Sequence, residues 1–138
     1  MKSVTIVSED RVGLLADISY ILGKSSVNID GLSVDVLGGK AVIALEVRDP
    51  RKAQDILERN GFRTTPPEAI VIKVSNDSME KITEMLETEK ISVKELSMLS
   101  SDKSDGIFAI NVDKPRKAHK MLSPFILGNI PNPATGYY

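Results

Sequence analysis

The sequence predicts an α+β chain of two tandem β-α-β-β-α-β units, each an antiparallel four-stranded sheet with two helices on one face. Three observations predict it. The spacing of apolar residues switches repeatedly between a period of two and a helical period. An eight-residue helical segment recurs in the second half of the chain with five of its residues unchanged. The composition is that of a globular chain, with 138 residues, 41% hydrophobic and 27% charged. That length holds one ordinary domain or two very small ones.

Val4 and Ile6 alternate as a strand, and Leu14, Leu15, Ile18, Ile21 and Leu22 then recur at helical spacing. Val27, Ile29, Leu32, Val34 and Val36 read as a second strand, with a phase slip at Asp30-Gly31 that predicts a bulge. Gly38-Gly39 is a tight hairpin signal, and Ala41, Ile43, Leu45 and Val47 form the strand after it. Asp49-Pro50 pairs a capping side chain with proline at the first helical position. Ala53, Ile56 and Leu57 face inward from that helix, Asn60-Gly61 ends it, and a short strand follows at 62–64.

The second half repeats the series. "PRKAQDIL" at 50–57 returns sixty-five residues later as "PRKAHKML" at 115–122. Leu15, Ile18, Ile21 and Leu22 are answered sixty-four residues on by Met79, Ile82, Met85 and Leu86. Val4 and Ile6 are answered sixty-six residues on by Ile70 and Ile72. An ordered series through four elements is an internal duplication. The shrinking offset removes about two residues between the first strand and first helix of the second copy, where Asp77 and Glu80 read as a capping box. A β-α-β-β-α-β unit with short connections closes in the ferredoxin-like arrangement. The expected domains are 1–65 and 66–138, divided at Thr65-Pro66-Pro67-Glu68. The aperiodic tail from Gly128 is expected to be either disordered or packed through Tyr137 and Tyr138. Each unit alone is near the size at which one core is marginal, so sheet-to-sheet or helix-to-helix docking and a homodimer are expected.

Composition narrows the chemistry. With no cysteine, thiol catalysis, disulfides and thiolate metal sites are excluded. A net charge of −1 gives no reason to expect nucleic acid or an anionic membrane as partner. Aromatic residues at 4% also argue against an RNA-reading sheet. The single histidine, His119, stands among Lys114, Arg116, Lys117 and Lys120, which reads as a solvated face. Glu84 and Glu87 lie along one helix flank with no sign of a cleft. The N-terminus lacks the apolar core of a signal peptide, and a cytoplasmic location follows as the default expectation.

The stretch "SEDRVGLLADI" at 8–18 runs a charged tetrad into a glycine at a helix start. Asp10, Arg11, Gly13 and Leu15, followed by Asn28 and Ile29 entering the second strand, resemble the marks of the ACT domain family, D/N-R-x-G-x-L and an N-I pair. The resemblance covers both copies, and the chain looks like a free-standing tandem ACT protein. Val12 stands where the family often has proline, and Ser26 where it often has glycine. In the second copy no glycine is present in "VSNDSMEKI", and Ser92-Val93 replaces the N-I pair, so the first copy is expected to keep the site.

The resemblance implies a regulatory protein that binds an amino acid, without catalytic residues, metal or cofactor. The implied ligand-binding residues are Asp10, Arg11, Val12, Gly13, Leu14, Asn28 and Ile29, with the second strand of a neighbouring unit closing the pocket. A metabolic enzyme that it regulates is the further partner. Helix-start amides suit a carboxylate, and Asp10 or Asn28 suits an ammonium. Two other readings stand beside it. One is a ligand-free oligomerisation module. The other is a small acyl-phosphate hydrolase built around Arg11, which lacks the glycine-flanked basic loop such enzymes carry. Individually, Asp10 also reads as a helix cap, Gly13 as a turn residue and Arg11 as a solvated charge.

Overall fold

A computed structural model describes residues 3–127. The expectations for the tail and its tyrosines lie outside these residues. The first half runs β1 (Ser3–Glu9), α1 (Leu14–Lys24), β2 (Ile29–Leu37), β3 (Lys40–Val47), α2 (Pro50–Arg59) and β4 (Arg63–Thr65). The second runs β5 (Ile70–Ser75), α3 (Met79–Thr88), β6 (Val93–Ser101), β7 (Asp105–Val112) and α4 (Pro115–Leu122). The sheets are ordered β2-β3-β1-β4 and β5-β7-β6, with every pairing antiparallel. The first is the ferredoxin-like order in full. In the second, the fourth place beside β5 is taken by one bridge, Ile72 to Ile126, and by the Leu127 N–H donating to the Val71 carbonyl at 2.8 Å.

Local chemistry sets the element ends. Gly38 and Gly39, with φ of 59° and 76°, make the two-residue turn that suits a twisted hairpin, and the β2 register shift falls between Ile29 and Gly31. At α2 the Asp49 side chain accepts from the Lys52 N–H at 3.1 Å, ahead of Pro50. The duplicated helix α4 has Lys114 at that cap and keeps only the proline. The capping box expected of Asp77 and Glu80 does not form. Residues Asn76–Ser78 make a single 3₁₀ turn instead, and α3 starts at Ser78 without a side-chain cap. That turn takes up the two-residue deletion. It is tied down by Asn76, whose N–H donates to the Ser104 carbonyl and whose side chain donates to that of Asp102. The Asp102 carboxylate in turn accepts from the Asp105 and Ser104 N–H groups, which hold its pKa below the ordinary aspartate value.

The duplication is also written in the backbone. Helix α1 ends with the Val27 N–H on the Leu22 carbonyl and Ser26 at φ 60°, and α3 ends with the Ile91 N–H on the Leu86 carbonyl and Lys90 at φ 59°. Both are left-handed caps that favour glycine. At α2 the same cap holds Gly61. Ser26→Gly and Lys90→Gly are each expected to stabilise the chain by about 1 kcal/mol, read as a higher urea midpoint.

Each unit has its own core between sheet and helices. Val4, Ile6, Ile43 and Leu45 meet Ile18, Leu22 and Leu57 in the first, and Ile72 and Ile110 meet Ile82, Leu86 and Leu122 in the second. A third core joins the opposite faces of the two sheets: Val7, Leu37, Val42, Val71, Leu99, Ile107 and Ala109. Docking is therefore sheet to sheet. Among the described residues, polar ties also cross it: the Ser100 hydroxyl donates to the Leu37 carbonyl, and Lys73 and Asp35 form a half-buried ion pair at 3.0 Å.

Candidate functional site

The loop joining β1 to α1 brings Asp10, Arg11, Val12, Gly13 and Leu14 together. The Asp10 N–H donates to the Gly39 carbonyl at 3.1 Å, which hangs the loop beside the β2–β3 turn. Gly13 sits at the helix cap with φ 83°, a left-handed conformation that glycine adopts without cost. No described side chain caps α1, so Asp10 is not its cap. The first bonds into the helix are Leu14 N–H to the Arg11 carbonyl and Asp17 N–H to the Gly13 carbonyl. Among the described residues the Leu15 and Ala16 N–H groups have no backbone acceptor, and they carry the positive end of the helix dipole.

The loop's side chains divide sharply. Leu14 is buried and anchors the helix, while Val12 is fully exposed at the tip. Arg11 is drawn back along the helix by Asp17 at 2.8 Å. Its charge is thus partly answered within the chain. Asp10 is exposed and makes no ion pair among the described residues.

Asn28 and Ile29 lie elsewhere. They follow the C-terminal end of α1, and an eleven-residue helix is about 16 Å long. One copy of the first unit therefore does not bring Asn28 to Gly13. Asn28 is exposed, while Ile29 packs against the first core.

The second unit holds a feature that the sequence reading missed. A cleft of about 520 Å³ opens between α3 and the foot of β6, lined by Thr83, Glu87, Lys90, Ile91, Ser92 and Val93. Glu87 thus borders a cleft, contrary to expectation. The signal available was the crowding of the second helix's flank by larger residues: Thr83 and Glu87 stand where the first copy has Ser19 and Gly23. The cleft is broad and open, and its charged residues are one acid and one base.

Among the described residues no group of three or more His, Asp or Glu side chains is placed to hold a metal. No described helix is long and apolar enough to cross a membrane.

No protein-family model matches the chain, and no curated protein matches it. Solved structures do. A protein from Bacteroides thetaiotaomicron is 20% identical, with 93% of this chain and 92% of that one covered at a TM-score of 0.48. The regulatory subunit of aspartate kinase from Thermus thermophilus is 12% identical, with 88% and 90% covered and a TM-score of 0.43. The small subunit of acetolactate synthase from Thermotoga maritima is 14% identical, with 91% and 89% covered and a TM-score of 0.40.

Proposed function

We propose that this chain is a regulatory protein that binds a free amino acid at the start of α1 and has no catalytic role. The observation that carries the reading is the uncapped helix start behind Gly13. A carboxylate is the natural acceptor for the Leu15 and Ala16 N–H groups, because it satisfies both and meets the helix dipole. Gly13 adds no side chain between that carboxylate and the backbone. Asp10 is the acceptor for the ammonium end. Asn28 belongs to the same site only across an interface, supplied by the second strand of a neighbouring copy. Ligand occupancy then couples to association, which is how such a protein would pass a signal to a metabolic enzyme.

Thermal unfolding in the presence of each standard amino acid tests this. A ligand at a hundred times its dissociation constant raises stability by about 2.7 kcal/mol. With the ligand so identified, titration calorimetry should show Gly13→Val abolishing binding and Asn28→Ala weakening it by about 1–3 kcal/mol. Ser92→Ala, at the corresponding place in the second copy, should leave it unchanged. No shift with any amino acid would remove the reading and leave an association module.

A further inference from the structure

The second unit departs from the first at the turn before its last helix. Arg48 and Asp49 in the first copy become Asp113 and Lys114 in the second, so both charges are reversed. In the first unit Asp49 caps α2 through the Lys52 N–H. In the second, α4 has no side-chain cap, and the two exchanged residues reach across to the connection between α3 and β6. The Lys114 ammonium donates to the Lys90 carbonyl at 2.7 Å, and the Ser92 N–H donates to the Asp113 carboxylate at 2.9 Å. The Asp113 N–H returns a bond to the Ser92 carbonyl, and Lys117 donates to the Glu89 carbonyl. Among the described residues, no side chain of the β3–α2 turn holds the matching segment 25–28 in this way. A helix cap has been given up and a connection has been pinned. Sequences break local stabilising rules of this kind at functional sites.

The pinned connection is one wall of the cleft of about 520 Å³. Glu87 and Lys90 stand three residues apart on the helix flank that borders it, a spacing at which opposite charges pair. Among the described residues, however, neither side chain has an ionic partner, so their charged ends are held apart. The Ser92 hydroxyl has no partner among the described residues either, while Thr83 turns its hydroxyl back onto its own helix. Ile91 is buried beneath them, and Val93 is 38% exposed. Lys90 also holds φ 59°, a left-handed backbone that glycine adopts more readily. A lysine at that place favours the side chain over the backbone.

From these observations we infer that the cleft binds a short peptide, a dipeptide with one apolar side chain. Its ammonium meets Glu87, its carboxylate meets Lys90 and the Ser92 hydroxyl, and its apolar side chain lies on Val93. An acid and a base that line one cleft without meeting each other fit a ligand that carries both charges. Separation and size make that ligand a peptide. The two ends of an extended dipeptide stand about 6 Å apart at ~3.3 Å per residue, whereas a free amino acid carries both charges on one carbon. At ~30 Å³ for each water-sized group, the cleft has room for roughly seventeen such groups, about twice the non-hydrogen atoms of leucine. The pinned wall is set before the ligand arrives, so little ordering opposes binding. The site lies within one unit and needs no second copy, which separates it from the site at the start of α1.

Amide chemical shifts of the intact chain, titrated with alanyl-leucine, test this. Shifts should move at 83–93 and saturate. Acetylating the peptide's ammonium should weaken binding about five- to tenfold, and amidating its carboxylate should do the same. Lys90→Gly should raise the urea midpoint and yet bind about tenfold more weakly, a split that a structural role for Lys90 would not give. Lys114→Asp should restore a cap to α4 and weaken binding, because it releases the Lys90 carbonyl. Gly13→Val should bind the peptide as the wild type does, so failure of this site and failure of the amino-acid site are told apart. Absence of shifts at 83–93 overturns the inference, as does leucine binding there as tightly as the dipeptide. Unchanged binding by Lys90→Gly overturns the assigned contacts.

Discussion

Gly38→Ala is expected to cost about 3 kcal/mol or more of stability, while Gly39→Ala costs about 1–2 kcal/mol. Both glycines hold left-handed backbone, so both substitutions incur the same kind of conformational penalty. What separates them is the space around them. A Cβ on Gly39 would meet nothing within 4 Å, whereas one on Gly38 would overlap the backbone carbonyl oxygen of Ser101 and touch the Ser100 hydroxyl. Backbone oxygen does not yield as a flexible side chain does. Accommodating the added methyl group means parting the β2–β3 turn from β6, which also breaks the Ser100 bond to Leu37. Urea denaturation of the two variants side by side measures the difference. Equal costs would mean that the two units do not meet at this turn.

Ile107→Ala is the second large effect, about 2–5 kcal/mol for an isoleucine truncated in a closed core. Ile107 is fully buried and lies in the core between the sheets, against residues of both units. Ile43 is equally buried but belongs to the first unit alone. Truncating Ile43 should lower one cooperative transition. Truncating Ile107 should also loosen the coupling between the units, so that fluorescence-labelled halves unfold at separate denaturant concentrations. A single coincident transition for Ile107→Ala, at the same midpoint as Ile43→Ala, would refute this.

Much of this architecture was legible because both copies obey the same periodicities. The helices, the glycine hairpin and the Asp30-Gly31 slip follow from spacing and turn chemistry, and the short β4 falls one residue from its expected place. The sheet-to-sheet core was legible in principle. Val4 to Val7 are all buried, as are Ile70 to Ile72, so both faces of these strands are covered. Sequence reasoning followed one face of each and left the mode of docking open. The capping box failed because the residues expected to cap α3 fold into a 3₁₀ turn held by Asn76, a contact twenty-six residues away in sequence. For the candidate site, the five loop residues were placed together by their adjacency. The distance of Asn28 from them was not apparent, because a motif quotes both ends of a helix side by side while the helix holds them apart.

The contact between the two hairpins has a kinetic consequence. Ser100 bonds to a carbonyl sixty-three residues away, whereas the pairings inside each hairpin are local. Closing so long a loop is entropically slow and is rewarded only once both partners exist. Hairpins and helices therefore assemble first, and the seam between the sheets closes after the main barrier. Interactions formed that late leave the folding rate alone and appear in the unfolding rate. The seam at Gly38 thus acts as a latch on the finished molecule. It sets how long the native state lasts far more than how quickly it is reached.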